Sequence, residues 1–183
     1  MKKLHVGCGK RFLPGWTHVD AQSYSHIDVV VPLDQISTAF IHDSIDEIYA
    51  CHVLEHIPRG KISSTLKDLS KLLKVGGFLR IAVPDFEAVV SAYGKEGIRL
   101  YPDLYGLIWG GQRDSYDYHH AGFDYQTLKA FLEEAGFSFI ERYEWREFLP
   151  DGYDDYSRSY LPHMDFDTGI LMSLNILAQK ASQ

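Results

Sequence analysis

In the first half of the chain, short apolar runs alternate with stretches whose apolar residues recur at helical spacing. Leu4–Val6, Trp16–Asp20, Ile27–Val31 and Asp46–Cys51 read as strands. Across Arg59–Lys74, residues Ile62, Leu66, Leu69 and Leu73 share one side of a helix, and Gly76-Gly77 is its expected stop. Phe78–Val83 reads as a fifth strand, halted by Pro84-Asp85. Strands alternating with helices in this way bury both faces of a parallel sheet, so the expected class is α/β.

The second half is less regular. Phe86–Tyr93 reads as a helix, and residues 94–124 hold many Gly, Tyr and Asp. Asp124 is placed to cap a helix over Tyr125–Ala135, with Leu128, Phe131, Leu132 and Ala135 on one face and Gly136 as its stop. Phe137–Trp145 and Gly169–Gln179 read as two final strands. The polar, Tyr- and Asp-rich stretch Arg146–Thr168 between them is expected to be a loop. At 183 residues the whole chain is expected to form a single domain, with residues 86–124 as an insertion.

Composition narrows the partners. Apolar residues are 45% and charged residues 23%, an ordinary globular balance that argues against disorder. With 18 Lys+Arg against 25 Asp+Glu, the formal charge is −7, which disfavours nucleic acid and anionic membranes. Small molecules are the expected partners. The two cysteines make no disulfide scaffold and no four-ligand zinc pattern. No apolar run of membrane-spanning length is present, and the basic opening lacks the apolar stretch of a signal peptide. A cytoplasmic location is expected.

The strongest local feature is Leu4-His5-Val6-Gly7-Cys8-Gly9. A strand running into Gly-x-Gly lets bare backbone approach a ligand at the strand's carboxyl end, where open parallel sheets bind ligands. A purely structural turn is the alternative. Lys10-Arg11-Phe12 follow, so the third glycine of a dinucleotide fingerprint is missing. Asp20 comes only eleven residues after Gly9, too soon for a nicotinamide dehydrogenase. An acid at that strand end can accept hydrogen bonds from both hydroxyls of a ribose, or can cap a loop.

Four segments in order, Leu4–Gly9, Trp16–Asp20, Asp46–His56 and Leu73–Leu79, resemble the class I S-adenosylmethionine-dependent methyltransferases. Gly110-Gly111-Gln112, His119–Asp124 and Ser173-Leu174-Asn175 are similar to a subgroup of small predicted methyltransferases of unassigned substrate, often associated with sugar pathways. The resemblance implies a Rossmann-like, doubly wound, mostly parallel seven-stranded sheet with a C-terminal antiparallel strand. It implies an inserted lid region, supplied by residues 86–124 or by the second subunit of a homodimer. It also implies S-adenosylmethionine as cofactor. Gly7, Cys8 and Gly9 would pass under its methionine part, and Asp20 would hold the ribose with Ala21 beside the adenine. Leu33 and Asp34 would border the adenine edge. Cys51 and His52 would border the sulfonium and amino group.

The chain departs from the family at three places. His5 and Pro32 stand where acids are usual, and Gly7–Gly15 leaves room for a first helix of only a turn or so.

Methyl transfer from a sulfonium is an in-line displacement in which the protein mainly aligns donor and acceptor. A base can remove a proton from the acceptor. No metal is required. His119 and His120 are favoured for this role, with Asp85, His52 and His56 as further candidates. A backbone-bonded loop histidine and a helix-capping Asp85 are the plain alternatives. Tyr101, Tyr105, Trp109, Tyr116 and Tyr118 are suited to stacking on an acceptor or to packing the insertion. Two other functions compete. One is a non-catalytic cofactor-binding or interaction protein on the same fold. The other is a zinc metallopeptidase, because His52-Val53-Leu54-Glu55-His56 spells His-x-x-Glu-His. That motif needs a regular helix to bring His52 and His56 to one face.

Overall fold

A computed structural model describes residues 1–182. Five strands are parallel: β1 (Lys3–Val6), β2 (Thr17–Asp20), β3 (Val29–Val30), β4 (Ile45–Cys51) and β5 (Leu73–Pro84). β6 (Phe137–Arg142) and β9 (Ser173–Lys180) complete a seven-stranded sheet of order β3-β2-β1-β4-β5-β9-β6. β9 runs antiparallel to both of its neighbours. This is the Rossmann-like sheet expected, with its one reversed strand at the C-terminus.

Alternation along the strands separates two unlike faces. Leu4, Val6, Val19, Ile48, Ala50, Leu79, Ile81, Val83, Leu174, Ile176 and Ala178 belong to one aliphatic core. α1 (Ile62–Leu72) and α4 (Tyr125–Glu134) cover it side by side. Ile62, Leu66, Leu69 and Leu72 of α1 and Leu128 and Leu132 of α4 are buried there. Truncating one such leucine to alanine costs about 2–5 kcal/mol. A 3₁₀ turn over Leu33–Thr38, unforeseen in the pattern, adds buried Leu33 and Ile36.

The opposite face is polar and aromatic. Tyr49, Cys51 and Ala82 pack with Leu13, Trp145 and Leu149. His5 stacks on Tyr49 at 5.1 Å between ring centres, and the Tyr49 hydroxyl donates to Asp155 Oδ2 at 2.6 Å. Arg80 Nε donates to Glu47 Oε1 at 2.8 Å.

Two expectations for this face need correction. Among the described residues, 7–16 cross from β1 to β2 in turns rather than through a first helical turn. Two positive-φ glycines, Pro14 and a third such glycine, Gly15, break that short link. In addition, Arg146–Thr168 is not a plain loop. It contains most of α5 (Trp145–Phe148), a 3₁₀ turn at Tyr156–Arg158 and β7 (Tyr160–Leu161), which pairs with β8 (Ile170–Leu171). Its aromatic residues lie over the sheet where a crossover helix is absent.

Boundaries differ for local reasons. α1 ends at Leu72, and Gly76-Gly77 sits inside β5 instead of stopping the helix. The register jumps there from Ile45↔Leu73 to Glu47↔Phe78, and a Cβ on Gly77 would lie 2.9 Å from the Lys74 carbonyl oxygen. A bulge therefore requires that glycine. β6 stops at Arg142 because Glu144 accepts from Arg146 N and starts α5. Helix α2 (Phe86–Tyr93) lies where expected, and α3 (Tyr105–Trp109) forms within the 94–124 stretch.

His5 is 1% exposed and its Nδ1 has no hydrogen-bond partner among the described residues. Burial first, then His18, Arg11 and His26, lowers its pKa from 6.5 to about 3. The unfolded chain therefore takes up a proton near pH 6.5 that the folded chain refuses until about pH 3. Stability present above pH 6.5 is lost as pH falls through this window. In urea unfolding, His5→Leu should lose less stability on acidification than the wild type, the slopes differing by up to about 1.4 kcal/mol per pH unit. Equal slopes would mean that the buried ring protonates freely.

Candidate functional site

From β1 the chain moves outward to β2 and β3, then returns to place β4 on the other flank of β1. A crevice opens above the carboxyl ends of strands at such a reversal. The glycine turn stands at this point. Gly7 has φ +62°, its N–H donates to the Val19 carbonyl at 2.8 Å, and a Cβ there would overlap Val53 Cγ2. Gly9 has φ +56°, and nothing lies within 4 Å of the place its Cβ would take. Asp20 at the end of β2 ties the turn down. Its Oδ2 accepts from Gly9 N and its Oδ1 from Gln22 N, both at 2.8 Å. Each oxygen keeps further acceptor capacity.

A cavity of about 420 Å³ follows from this arrangement. Gly7, Gly9, Asp20, Ala21, Leu33, Asp34 and His52 line it, together with Pro32, His56 and His120. Cys8 and Cys51 lie instead in the wall of an adjoining cavity of about 430 Å³, which shares Gly7, Gly9 and His52 with the first. A third cavity of about 310 Å³ is mostly apolar, lined by Pro84, Phe86, Val89, Leu107, Ile108 and Trp109, with His119 and His120. His120 thus belongs to the first and third cavities and His119 to the third alone.

Asp85 lies apart. Its Oδ1 accepts from Glu87 N and Ala88 N as the cap of α2, and its Oδ2 pairs with Arg142 at 3.3 Å. Among the described residues it is in the wall of none of the three cavities. Of the five aromatic candidates, Tyr116 lines the first cavity and Trp109 the third. Tyr105 packs between Tyr101 and Trp109, and Tyr118 lies against His120.

Several wall residues carried no signal in the sequence pattern. Arg113, Asp114 and Ser115, from the 94–124 stretch, line the first cavity beside the candidate Tyr116. Arg11 lines the second, its guanidinium 4.4 Å from the Tyr156 ring centre and its Nε bonded to the Asp154 carbonyl at 2.9 Å. The available signal for Arg11 was its place two residues after Gly9. Tyr156 and Asp155 carried none, since they meet the turn only through the folded chain.

The electrostatics of the walls are uneven. Asp20, Asp34, Asp114 and Asp117 face the first cavity with Arg113, which pairs with Asp117 at 2.6 Å. Asp34 is held by Lys61 at 2.7 Å. The excess of carboxylates favours a cationic ligand centre. Lys10, Arg11 and Arg113 line the second cavity with Asp114 and Asp155, so cations slightly outnumber carboxylates there. Burial, then Asp20, pushes the Cys8 thiol up to about 12, and burial raises Cys51 well above its ordinary value. Neither is the thiolate a covalent nucleophile needs.

Behind these walls lies a buried carboxylate. Glu55 is 0% exposed, and His52 Nδ1 and His119 Nε2 stand 3.4 and 3.9 Å from its Oε1. Burial acts most strongly and pushes its pKa up, yet His52, His56 and His119 together outweigh it and hold the group below the usual Glu value. The peptide N–H groups of His120 and Ala121 donate to the Glu55 carbonyl at 2.8 and 3.3 Å, which fixes the histidine pair against this turn. Residues 54–56 form a single 3₁₀ turn and His52 has φ +50°. The regular helix demanded by the metallopeptidase reading is therefore not formed.

No family model and no curated protein sequence matches the chain. Solved structures do resemble it. A SAM-dependent methyltransferase from Archaeoglobus fulgidus has TM-score 0.59 at 16% identity, covering 98% of this chain and 86% of that one. A Mesorhizobium loti S-adenosylmethionine-dependent methyltransferase has TM-score 0.55 at 16% identity over 97% of this chain and 90% of its own. The 1,6-didemethyltoxoflavin-N1-methyltransferase of Burkholderia thailandensis, whose structure contains 1,6-didemethyltoxoflavin and S-adenosylhomocysteine, has TM-score 0.58 at 14% identity, covering 98% and 71%. The fold is therefore that of the class I S-adenosylmethionine-dependent methyltransferases.

The two glycines of the turn should respond differently to alanine. Gly9→Ala should cost about 1–2 kcal/mol, from the left-handed backbone alone. Gly7→Ala adds overlap with Val53 and should cost roughly 2–5 kcal/mol in chemical unfolding. Val53→Ala in the Gly7→Ala background should recover part of the loss; no recovery would place the strain elsewhere.

Proposed function

We propose that this chain binds S-adenosylmethionine across the Gly7–Gly9 turn and transfers its methyl group to a small-molecule acceptor, a sugar or another metabolite. One observation carries the reading: bare backbone at the reversal point of the sheet, held by the same carboxylate that faces the cavity. The space beside Gly9 fits close approach of a ligand, and the acidic wall fits a cationic centre.

Asp20 holds the ribose hydroxyls with the acceptor capacity left on its two oxygens. Ala21, Pro32, Leu33 and Asp34 border the adenine. Gly7, Cys8, Gly9, Cys51 and His52 surround the methionine part, and Arg11 receives its carboxylate. The bound cofactor supplies an activated methyl group. His120, shared between the first and third cavities, takes the acceptor's proton. His119 is a positioning residue, because its Nδ1–H is committed to the Leu107 carbonyl at 3.0 Å. The carboxylate of Asp85 serves the α2 cap and Arg142 instead of the acceptor. Residues 109–120 form the inner side of the acceptor lid.

Titration calorimetry with S-adenosylhomocysteine should show binding by the wild type, weakened at least roughly tenfold in Asp20→Ala through loss of charge-assisted hydrogen bonds. Absence of wild-type binding would overturn the reading. Transfer of labelled methyl groups to a panel of sugars, phenols and amines should fall about 10²–10⁴-fold in His120→Ala, with cofactor affinity unchanged. Parallel loss of both would mean that His120 supports the cofactor site instead.

A further inference from the structure

The surroundings of Glu55 are those of a buried anion encircled by imidazole nitrogens. Its side chain is fully buried, and among the described residues neither carboxylate oxygen has a hydrogen-bond partner. Three imidazoles surround it, yet each has already committed an N–H elsewhere. His56 Nδ1 is 3.1 Å from the Tyr118 carbonyl and His119 Nδ1 is 3.0 Å from the Leu107 carbonyl. A carbonyl only accepts, so in both rings Nδ1 carries the hydrogen and a neutral ring keeps its lone pair on Nε2. His52 Nε2 is 3.0 Å from Ser173 Oγ. Ser173 donates its own hydrogen to Asn175 Oδ1 at 2.8 Å, so it receives the His52 Nε2–H. That leaves the His52 lone pair on Nδ1, facing Glu55 Oε1 at 3.4 Å.

While the rings are neutral, lone-pair nitrogens and a carboxylate therefore converge on one buried point, and a positive charge, a proton or a metal ion, is what the pocket calls for. Burial without compensation of this kind costs several kcal/mol. A bound cation removes the conflict. Ligand atoms of Glu55, His56 and His119 all lie within 4.8 Å of one another. The backbone carbonyls on both Nδ1 atoms are the outer-shell partners that fix the tautomer of metal-bound histidines. We propose that Glu55, His56 and His119 bind one divalent transition-metal ion.

The donor set decides the class of ion. Two imidazoles and one carboxylate suit zinc and its first-row neighbours better than magnesium or calcium, which prefer all-oxygen sites. Ligand atoms around tetrahedral zinc sit about 3.4 Å apart, so the side chains draw together by about 1 Å on binding. The site lies between the first cavity, which His56 lines, and the third, which His119 lines. An ion bridging His56 and His119 would stand beside both cavities and would lower the pKa of a hydroxyl that approached it. That last role rests on the methyl-transfer reading; the metal site itself does not.

Zinc binding to chelator-stripped full-length protein, followed by competition with a chromogenic chelator, tests the proposal. The wild type should take up one equivalent. His56→Ala and His119→Ala should each weaken binding by roughly a hundredfold, and Glu55→Gln, which keeps the shape of the side chain, by at least about tenfold. Cobalt substituted for zinc should show visible absorption bands that vanish in the His56→Ala/His119→Ala double variant. Thermal unfolding of each variant confirms that it is folded. No uptake by the wild type, or undiminished uptake by folded Glu55→Gln and the double variant, would overturn the site. Calorimetry with S-adenosylhomocysteine on the same samples keeps this outcome separate from failure of the cofactor reading.

Discussion

The carboxylate of Asp20 joins the end of β2 to the turn that follows β1, and it does so through the peptide N–H of Gly9. That turn can exist only as bare backbone. Val53 occupies the space a Gly7 side chain would need, and positive φ at Gly7 and Gly9 is poorly open to other residues. Packing against Val53 also places the next turn, residues 52–56, beside the same crevice. The position of His52, the burial of Glu55 and the wall of the first cavity all depend on this close approach. Backbone strain persists where its surroundings over-determine it; here the surroundings are two neighbouring strand ends and one valine.

The sheet presents different chemistry on its two sides, and the covering layers differ accordingly. Leucine, isoleucine and valine on one side meet α1 and α4 in a continuous aliphatic core. On the other, His5, Tyr49, Glu47 and Arg80 need partners as well as contact. A regular helix offers only its side chains. The segment carrying α5 and the Tyr156–Arg158 turn offers backbone carbonyls and a buried carboxylate too. Tyr49 finds Asp155 there, and Asn175 Nδ2 donates to the Ser157 carbonyl at 2.8 Å. The same segment brings Asp155 and Tyr156 to the second cavity, so the layer that replaces a helix also completes a wall.

Electrostatics divide the crevice into regions. Carboxylates dominate the first cavity, cations approach the glycine turn from the second, and the third is largely apolar. A ligand with a positive centre and an anionic end matches the first two. An uncharged molecule matches the third. Glu55 and its histidines stand where these regions meet, with the Nδ1–H of His56 and His119 fixed by the carbonyls of residues 118 and 107 and His52 bonded to Ser173. The local field at this junction is therefore governed by the 94–124 stretch as much as by the strands.

Much of the architecture was legible in residue order. Short apolar runs marked β1, β2 and β4, and helical spacing marked α1 and α4 together with the Asp124 cap. The glycine turn and Asp20 were visible because both are local: one needs particular backbone angles, the other a strand end. The 145–168 layer was hidden because its aromatic and acidic residues resemble those of a loop until they meet the sheet. Asp85 showed the same ambiguity, as a cap and a candidate base look alike in sequence. Periodicity and backbone chemistry alone determined most strands of the sheet, the helices α1, α2 and α4 and the glycine turn, while the seven-stranded order was implied by the family resemblance. Only the tertiary structure decided which nitrogen of His52, His56 and His119 faces Glu55, because a tautomer is chosen by partners brought close in space from distant parts of the chain.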